Sequence, residues 1–520
     1  MYSYHQCRLF LLLLLFVSHS TKAYKNSSTS PAVNLCESQR HIHLSTGRDA
    51  SNSITISFSS YPCDDRNLQE SELNYRPGGV LIGTDPEKLE LILGKDVRMY
   101  QANIHHPDEH VELYTSERQH HIMIENLTES TKYYYKCVVL IESHLGDTKM
   151  SKGTNDEDDD ESQERAFEQR YLRRMSLPTH FSEDESVLKT FTTASKPLPF
   201  SRAKFAILGD LGVAPWQPHS KNTLAQLSNH LIDLNYVIIA GDITYANGNH
   251  KKWDDFFDAL PSGMMETPLY VVAGNHDAEG DHDTGEIFTA FENRFRMPHI
   301  APTIKDKAKE KHDFDLNLMY QLPYDYGNSY YAFQYGPSYN IALNAFADFE
   351  PGSLQYQWLE TELNTVNRDI SPWLVVIVHC PMYNTFSFHK TDPQPVNLKL
   401  YLEPLFVEYR VNVVLSGHLH GYSRSHPIAF EQKKDSGPIH FVLGNGGRTI
   451  NAPFQNQVKE DWVAVRDHTT YGFGIIEYLN ATTAKYEWIH SGFNAPEETE
   501  FQDIPANFTD LMYIQNQWYL

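Results

Sequence analysis

The sequence is poor in cysteine, in long apolar runs and in positive charge, and each shortage excludes a class of protein. Five cysteines among 520 residues are too few for a small fold built on disulfides. The longest apolar run covers residues 9–17, well short of the ~20 residues that a membrane-spanning helix needs. Lys and Arg number 43 against 67 Asp and Glu, and the net charge of −24 argues against a nucleic-acid partner. We therefore expect neither a stable membrane anchor nor a nucleic-acid surface.

The first residues are typical of a secretory leader. Arg8 precedes the apolar run and small residues follow it as far as Ala23, so a signal peptide is predicted over residues 1–23. A membrane anchor is the alternative, and the shortness of the run disfavours it. Four sequons are predicted glycosylation sites on the same route: Asn26, Asn126, Asn480 and Asn507. The expected location is therefore outside the cell or in a secretory-pathway or lysosome-like lumen.

The cysteines that follow the leader are expected in two different states. One disulfide is expected among Cys36, Cys63 and Cys137, because the predicted compartment is oxidising. Cys380 lies in an apolar, strand-like segment, so it is expected to be a buried free thiol.

Short β-like segments fill the region from residue 34 to residue 195. The segment "SITISFSS" alternates polar and apolar residues, "GVLIGT" is apolar, and no long amphipathic helix interrupts them. This pattern predicts an all-β sandwich domain over residues 34–195. Within it, residues 153–186 contain an unbroken acidic run at Asp156–Glu161, which predicts a solvated, disordered insertion.

From residue 196 to residue 520, apolar runs alternate with helical patterns. Five runs are short and continuously apolar, as in strands that are buried on both faces: "KFAIL", "YVIIA", "LYVVA", "WLVVIV" and "VNVVLS". Helix candidates begin at Ser220, Ser353 and Leu398. This alternation predicts an α/β domain with right-handed β-α-β units, in which ligands collect beyond the carboxyl ends of the strands.

Polar residues stand at the end of each of these five runs. They are Asp210, Asp242, Tyr245, Asn275, His276, Asp277, His379, His418 and His420. Taken singly, Asp210 could cap a helix, Asn275 could fill a turn and His379 could be a buried core histidine. Because all five equivalent positions carry Asp, Asn or His, the pattern favours one shared site.

The residue types indicate two metal ions rather than one. Carboxylate, amide and imidazole groups together suit a hard or borderline metal. His276 is not needed as a ligand, since Asn275 fills that role in the GNHD loop. The seven candidate ligands, Asp210, Asp242, Tyr245, Asn275, His379, His418 and His420, are too many for one tetrahedral zinc, but they suit two metals that share a carboxylate. Two such metals can stabilise the attacking and the leaving oxygens of a phosphoryl displacement. Since the sequence has neither a P-loop nor a serine nucleophile elbow, the metals would have to supply this chemistry.

The motifs GDLG, GDITY, GNHD, VIVH and GHLH, in this order, resemble those of the metallophosphoesterase (calcineurin-like) superfamily, and specifically of the purple acid phosphatases. The tyrosine of GDITY separates this branch from most others, and the match covers residues 203–493. The resemblance implies the large, plant-type form, with a fibronectin-like β-sandwich followed by an αββα catalytic domain. It also implies an acid phosphatase.

The resemblance further implies how two ions share the ligands. An Fe³⁺ ion would be bound by Asp210, Asp242, Tyr245 and His420, and its bond to the phenolate would give a purple colour. A divalent ion, Zn²⁺, Fe²⁺ or Mn²⁺, would be bound by Asp242, Asn275, His379 and His418. Asp242 would bridge the two ions. The implied reaction is attack of a metal-bound hydroxide on the phosphorus of a phosphate monoester.

Two histidines are assigned to the substrate rather than to a metal. By the resemblance, His276 lies beside the phosphate, where it would stabilise the transferring group or protonate the leaving oxygen. His389 is a second catalytic candidate. The large family members often carry adjacent histidines there, and here the first is Phe388. Arg448, which ends a glycine-rich segment, could attract phosphate or be an ordinary surface arginine.

Two other functions stay open. One is a metal-dependent phosphodiesterase or a sphingomyelinase-like esterase of the same superfamily, which Tyr245 and the lack of a cysteine-rich lipid-binding module disfavour. The other is a non-enzymatic glycoprotein with a decayed site, which the seven intact ligand positions disfavour. Small phosphate monoesters are the expected substrates, with phosphoproteins as a further class. The sequence leaves the oligomeric state open.

Overall fold

The structure is a computed structural model that describes residues 39–61, 78–106, 110–139, 188–279, 287–298, 319–450, 452–493 and 509–519. These residues belong to one compact unit, Cys36–Leu520. Several predictions fall outside the described residues, namely the signal peptide, the acidic insertion, and the positions of Asn26, Asn507, Cys36 and Cys63.

Two four-stranded antiparallel sheets form the N-terminal region. The strands of the first sheet are β1 (Gln39–Ser45), β2 (Ile54–Ser60), β5 (Asp96–Arg98) and β8 (Arg118–Ile124), in the order β1-β2-β8-β5. Those of the second are β3 (Gly78–Gly83), β4 (Glu90–Leu93), β9 (Lys132–Val139) and β10 (Lys189–Thr192), in the order β10-β9-β3-β4. A separate hairpin joins β6 (Gln101–His105) to β7 (Val111–Thr115).

The alternation of apolar residues along these strands forms a core between the two sheets. Ile54, Ile56 and Phe58 of β2 share one buried apolar cluster with Val80 of β3 and Tyr135 of β9. Because successive side chains of a strand point to opposite faces, every second residue can enter this core. The predicted all-β sandwich is confirmed.

Two larger mixed sheets follow residue 196. The six-stranded sheet has the order β13-β12-β11-β23-β24-β25, with β11 (Ala203–Leu208), β12 (Tyr236–Ile239), β13 (Leu269–Val271), β23 (Thr470–Tyr478), β24 (Thr483–Phe493) and β25 (Leu511–Gln515). The seven-stranded sheet has the order β14-β15-β16-β17-β21-β18-β22, with β14 (Tyr331–Tyr335), β15 (Ser338–Leu343), β16 (Trp373–Val378), β17 (Val413–Ser416), β18 (Tyr422–Ser425), β21 (Ile439–Leu443) and β22 (Val463–Asp467). A two-stranded ribbon contains β19 (Ile428–Ala429) and β20 (Gln432–Lys433).

Aromatic side chains fill the space between these two sheets. The ring of Tyr270 on β13 stacks on that of Phe333 on β14, with centroids 3.7 Å apart. At the other end, Phe441 of β21 lies 4.5 Å from Tyr486 of β24, again measured between ring centroids. Strands β11, β12 and β13 are mutually parallel, as are β15, β16, β17 and β21. The predicted α/β domain is confirmed, and its two sheets form the central layers.

Among the described residues, five α-helices accompany these sheets: α1 (Pro218–His230), α2 (Lys251–Ala259), α3 (Thr289–Arg294), α4 (Leu354–Thr365) and α5 (Pro393–Glu408). Short 3₁₀ turns lie at Leu231–Asp233, Ser262–Met265, Asn275–Asp277 and Gln517–Tyr519. Helix α5 begins before the predicted Leu398, because proline is tolerated in the first turn, where its missing N–H costs no bond. Within the described part of the chain, no helix is both long and apolar enough to span a membrane.

Helix α2, which the sequence pattern did not predict, connects the α/β region to the β-sandwich. Its buried side chains include Trp253 and Phe257. Arg40 of β1 donates hydrogen bonds to both carboxylate oxygens of Asp258, at 2.5 and 2.7 Å. Tyr114 of β7 donates a bond of 2.8 Å to Asp254. These contacts support a helix that lies just after the loop carrying Tyr245.

Both cysteines within the described residues are buried free thiols. Cys137 lies in the core of the sandwich, so it does not take part in the predicted disulfide. Cys380, just beyond β16, is buried and free as predicted. Burial raises the pKa of its thiol well above the usual value, so this thiol is unreactive.

Candidate metal centre

The strand ends that the sequence singled out come together from both central sheets. Four candidates follow strands of the six-stranded sheet: Asp210 after β11, Asp242 and Tyr245 after β12, and Asn275 after β13. Three follow strands of the seven-stranded sheet: His379 after β16, and His418 and His420 after β17. The side-chain contacts described below join the two groups into one cluster.

The backbone of these loops is held in an unusual conformation. Asp210, Asp242, Tyr245 and His418 have positive φ angles of 55°, 52°, 55° and 70°. Residues other than glycine rarely adopt this left-handed region, and each instance costs of order 1–3 kcal/mol. Strain that recurs at four candidate ligands is typical of a functional site, since it turns the side chains towards a common point.

Two glycines allow the loops to approach one another. At Gly241, whose φ is 85°, a Cβ atom would lie 2.3 Å from Nδ1 of His379. At Gly274, a Cβ atom would lie 2.2 Å from Oδ1 of Asp242. Any side chain at either position would push a candidate ligand out of place, so glycine is required next to the site.

Asp210, Tyr245 and His420 form one half of the cluster. The phenol Oη of Tyr245 donates a hydrogen bond of 2.8 Å to Oδ1 of Asp210 and lies 2.9 Å from Nε2 of His420. Nε2 of His420 lies 3.4 Å from the same Asp210 oxygen. Three donor atoms from three separate loops therefore surround one point.

Asn275, His379 and His418 form the other half. Oδ1 of Asn275 lies 3.2 Å from Nε2 of His379 and 3.0 Å from Nδ1 of His418. Asp242 approaches this half, since its Oδ1 lies 3.5 Å from Nε2 of His379. The donor atoms of Asp210, Asp242 and His379 all lie within 4.8 Å of one another. Asp242 is thus placed where it can serve both halves.

Backbone carbonyls orient two of the histidines. Nδ1 of His379 lies 2.7 Å from the carbonyl oxygen of Ala240, and Nδ1 of His420 lies 3.1 Å from that of Thr449. A carbonyl oxygen only accepts hydrogen bonds, so each Nδ1 carries a hydrogen, and in the neutral form of each ring Nε2 has the lone pair that a metal can bind. This is the arrangement that metal-binding histidines adopt. The donor set therefore fits two metal ions with oxygen and nitrogen ligands.

Buried charges determine the protonation of the metal-free cluster. Burial disfavours the charged form of Asp242, but His379 beside it holds the pKa of Asp242 well below its usual value. Burial likewise opposes protonation of His379, yet Asp242 and Asp210 raise its pKa to about 9. Burial, with Asp210 and Asp242 nearby, raises the pKa of Tyr245 well above its usual value. A cation bound here would take the place of these protons.

The two histidines assigned to substrate lie at the rim of the cluster. The backbone N–H of His276 donates a bond of 2.8 Å to Oδ1 of Asp242, and its ring lies 4.5 Å from that of Tyr245. The ring of His389 lies 4.3 Å from that of His418, and its Nδ1 lies 2.7 Å from Oδ2 of Asp392. Both rings are thus next to the candidate ligands, and Phe388 beside His389 is exposed.

Sequence reasoning missed two residues that support the site. Oδ1 of Asn247 lies 2.6 Å from Nδ1 of His276 and can fix the orientation of that ring. Asp277, given no role from the sequence, is fully buried and accepts hydrogen bonds of 3.0 Å from the backbone N–H groups of Ile243 and Gly274. It therefore ties the loop after β12 to the loop after β13. The sequence feature that could have identified Asp277 is its position at the end of the GNHD motif.

Asp277→Ala is expected to lower the free energy of unfolding of the metal-free protein by about 2–6 kcal/mol. The change leaves two buried N–H groups without an acceptor, and each such group costs about 1–3 kcal/mol. Asp277→Asn is the matched variant, because its carbonyl oxygen can still accept one bond, and it should lose less. Urea unfolding followed by circular dichroism measures both. Equal losses in the two variants would show that Asp277 does not act through these bonds.

Two family models match the α/β region that carries the cluster. Residues 203–422 match the family model "Calcineurin-like phosphoesterase", and residues 437–497 match "Iron/zinc purple acid phosphatase-like protein C". The chain is 32% identical over 300 residues to "probable purple acid phosphatase 20" of Arabidopsis thaliana. The aligned region covers 58% of this chain and 64% of the relative. It is 28% identical over 406 residues to "purple acid phosphatase 1" of Ipomoea batatas, covering 74% of this chain and 71% of the relative. The chain thus spans less than two thirds of the Arabidopsis relative.

The fold agrees with a solved structure of the same kind. A purple acid phosphatase from yellow lupin (Lupinus luteus) seeds superposes with a TM-score of 0.64 at 21% identity, over 88% of this chain and 72% of that one. At this identity the likeness concerns the fold alone. The two family models show that the region from residue 203 to residue 497 belongs to the purple acid phosphatase family of calcineurin-like phosphoesterases.

Proposed function

We propose that this chain is a phosphatase with a binuclear metal centre that hydrolyses phosphate monoesters. The observation that carries the proposal is the cluster of Asp210, Asp242 and His379, whose donor atoms lie within 4.8 Å of one another between two sheets. Carboxylate and imidazole donors in this arrangement suit two ions that share a ligand. The family to which residues 203–497 belong supports the same reaction class.

The proposed ions are one Fe³⁺ and one divalent metal, Zn²⁺, Fe²⁺ or Mn²⁺. On the ferric side the ligands are Asp210, Tyr245 and His420; on the divalent side they are Asn275, His379 and His418; Asp242 is shared. The name of the matched C-terminal family model supports an iron/zinc pair. When bound, the two ions supply positive charge that polarises the phosphate group and acidifies water.

The protein's own residues hold the substrate and move its protons. Asn247 can accept a hydrogen bond from Nδ1 of His276, which leaves Nε2 as the nitrogen that can protonate the leaving oxygen. Asp392 holds Nδ1 of His389 in the same way. Small phosphate monoesters are the proposed substrates, and phosphoproteins are a further class to assay.

Tyr245→Phe is expected to abolish the visible charge-transfer band of the iron-loaded protein while leaving measurable phosphatase activity. The band requires a phenolate bound to iron, whereas the other three ligands of that ion remain in the variant. Visible absorption and hydrolysis of a nitrophenyl phosphate measure the two effects. A spectrum unchanged from that of wild type would remove Tyr245 from the metal.

Metal analysis combined with two assays tests the proposed function against its alternatives. We expect two metal ions per chain and a kcat/KM that is larger for a phosphate monoester than for the matched diester. A preference for the diester would instead support a phosphodiesterase or a sphingomyelinase-like esterase. Two bound metals with no hydrolysis of either ester would support a non-enzymatic glycoprotein.

The proposed location is outside the cell or in a secretory or lysosome-like lumen. The leader predicted at residues 1–23 supports it, and so do two sequons whose asparagines are exposed, Asn126 and Asn480. Expression of the full chain in a eukaryotic cell should yield protein that shifts in mass when treated with an N-glycosidase. Unmodified protein in the cytosol would contradict this location.

A further inference from the structure

The backbone of His389 is held in a strained conformation. Its φ angle is 57°, in the left-handed region that residues other than glycine rarely adopt. Its side chain is 44% exposed, so burial of the ring does not by itself hold the residue in this conformation. Such strain persists only where the surrounding structure imposes it. The segment before His389 therefore has to supply the contacts that fix this residue.

Asn384 fixes the residue directly before His389. Its side-chain amide donates a hydrogen bond of 2.7 Å to the carbonyl oxygen of Phe388. Its Oδ1 accepts a bond of 2.6 Å from the backbone N–H of Phe386. Because Asn384 is buried, water competes little for these two bonds. Residues 384–388 therefore form a turn that is closed by its own first side chain, and the apolar side chain that this turn buries is Phe386.

Phe386 is fully buried in a small apolar cluster that is separate from the main core. A Cβ atom at Gly421 would lie 2.7 Å from the Phe386 ring, so the ring lies directly against the backbone that follows the GHLH motif. Leu419, which stands between the two histidines of GHLH, belongs to the same cluster. Phe386 therefore links the turn before His389 to the loop of two candidate metal ligands. The buried members of the cluster are Phe386, Leu419, Val442 and Ala452, and Phe454 packs against them.

A second loop holds the same turn from another side. Phe386 and Phe454 form an isolated antiparallel bridge, and the backbone N–H of Ser387 donates a hydrogen bond of 2.9 Å to the carbonyl oxygen of Pro453. The guanidinium carbon of Arg466 lies 4.1 Å from the centre of the Phe454 ring. These contacts do not require the Phe386 ring. A shorter side chain at position 386 should therefore loosen the turn without unfolding it.

We propose that Phe386 is a positioning residue for His389: its ring anchors the turn at residues 384–388 and so holds the His389 ring beside the metal centre. In this position the His389 ring lies 4.3 Å from that of His418. The inference rests on the proposed function, in which His389 acts on the leaving group. Shortening Phe386 would leave a void beside the turn and let the strained backbone of His389 relax. Since a misplacement of about 1 Å can cost about 10²-fold in rate, Phe386 can affect turnover without touching substrate.

Phe386→Ala tests the inference through the leaving group. We expect kcat for an alkyl phosphate to fall about tenfold and kcat for nitrophenyl phosphate to change little, because only the alkoxide needs a proton in order to leave. Both metal ions and the ferric band should remain as in wild type. Phe386→Leu keeps most of the apolar volume and should show a smaller loss of the same kind. If circular dichroism shows that Phe386→Ala is unfolded, Phe386→Leu provides the same comparison.

A double variant shows whether Phe386 acts through His389. In the His389→Ala background, Phe386→Ala should cause no further loss of kcat on the alkyl phosphate, since no imidazole is left to position. Losses that multiply in the double variant would overturn the inference. Loss of a metal ion from Phe386→Ala would overturn it as well, because Phe386 would then support the GHLH loop rather than His389.

Phe205→Ala and Phe205→Leu are the matched controls. Phe205 is fully buried in the main core, in the first half of β11, whereas Asp210 follows the carboxyl end of that strand. These changes should destabilise the protein but leave the ratio of the two kcat values as in wild type. An equal fall of the ratio in the controls would assign the effect to general loss of packing and overturn the role of Phe386. Absence of hydrolysis of every monoester by wild type would instead overturn the proposed function.

Discussion

Asp242→Ala is expected to lose both metal ions and to lower kcat/KM for a phosphate monoester by at least about 10³-fold. Asp242 is fully buried between the two halves of the cluster, so neither ion would keep its complete set of ligands. Metal ions contribute several kcal/mol of charge stabilisation in the transition state, and a loss of about 4 kcal/mol corresponds to about 10³-fold in rate. Elemental analysis of the purified protein and a nitrophenyl phosphate assay measure the two effects.

Asn275→Ala is the matched variant for the shared ligand. Oδ1 of Asn275 lies beside His379 and His418, so its removal should release mainly the divalent ion and leave the ferric band in place. Circular dichroism verifies that both variants are folded. If Asp242→Ala retains the metal content of wild type, Asp242 does not bridge the ions.

His276→Ala is expected to bind two metals normally while its kcat for an alkyl phosphate falls by about 10²–10⁴-fold, the usual contribution of a general acid. An alkoxide needs a proton in order to leave, whereas a nitrophenolate does not. The loss should therefore be much smaller on nitrophenyl phosphate. Metal content and kcat for both substrates test the assignment.

His389→Ala provides the comparison for His276. It should also keep both metals and lose more activity on the alkyl phosphate, but by a smaller factor. His389 is exposed, and its neighbour Phe388 cannot transfer a proton. Protonation of the leaving oxygen should therefore depend more on His276 than on His389. Loss of a metal from either variant would make that histidine a ligand. If the kcat of His276→Ala falls by the same factor on both substrates, His276 stabilises charge in the transition state rather than donating a proton.

Much of the fold and the site could be predicted from the sequence because their signals are local. Strands β11, β12, β13, β16 and β17 are short, continuously apolar segments, and parallel strands that are buried on both faces have that composition. Each candidate ligand stands within a few residues of such a strand end, so the motif and its position can be recognised together. Helix α2 was missed because it is short and its buried aromatic face lies within a polar sequence.

The sequence by itself determined which side chains stand at the strand ends and therefore which chemistry is available. Only the tertiary structure decided which distant segments support them: Asn247 beside His276, and Asp277 between two loops. It also decided that the carbonyls of Ala240 and Thr449 orient two histidines. Hydrogen bonds and charge interactions depend on distances in space, and a local sequence pattern does not encode the distance between two segments that only folding brings together.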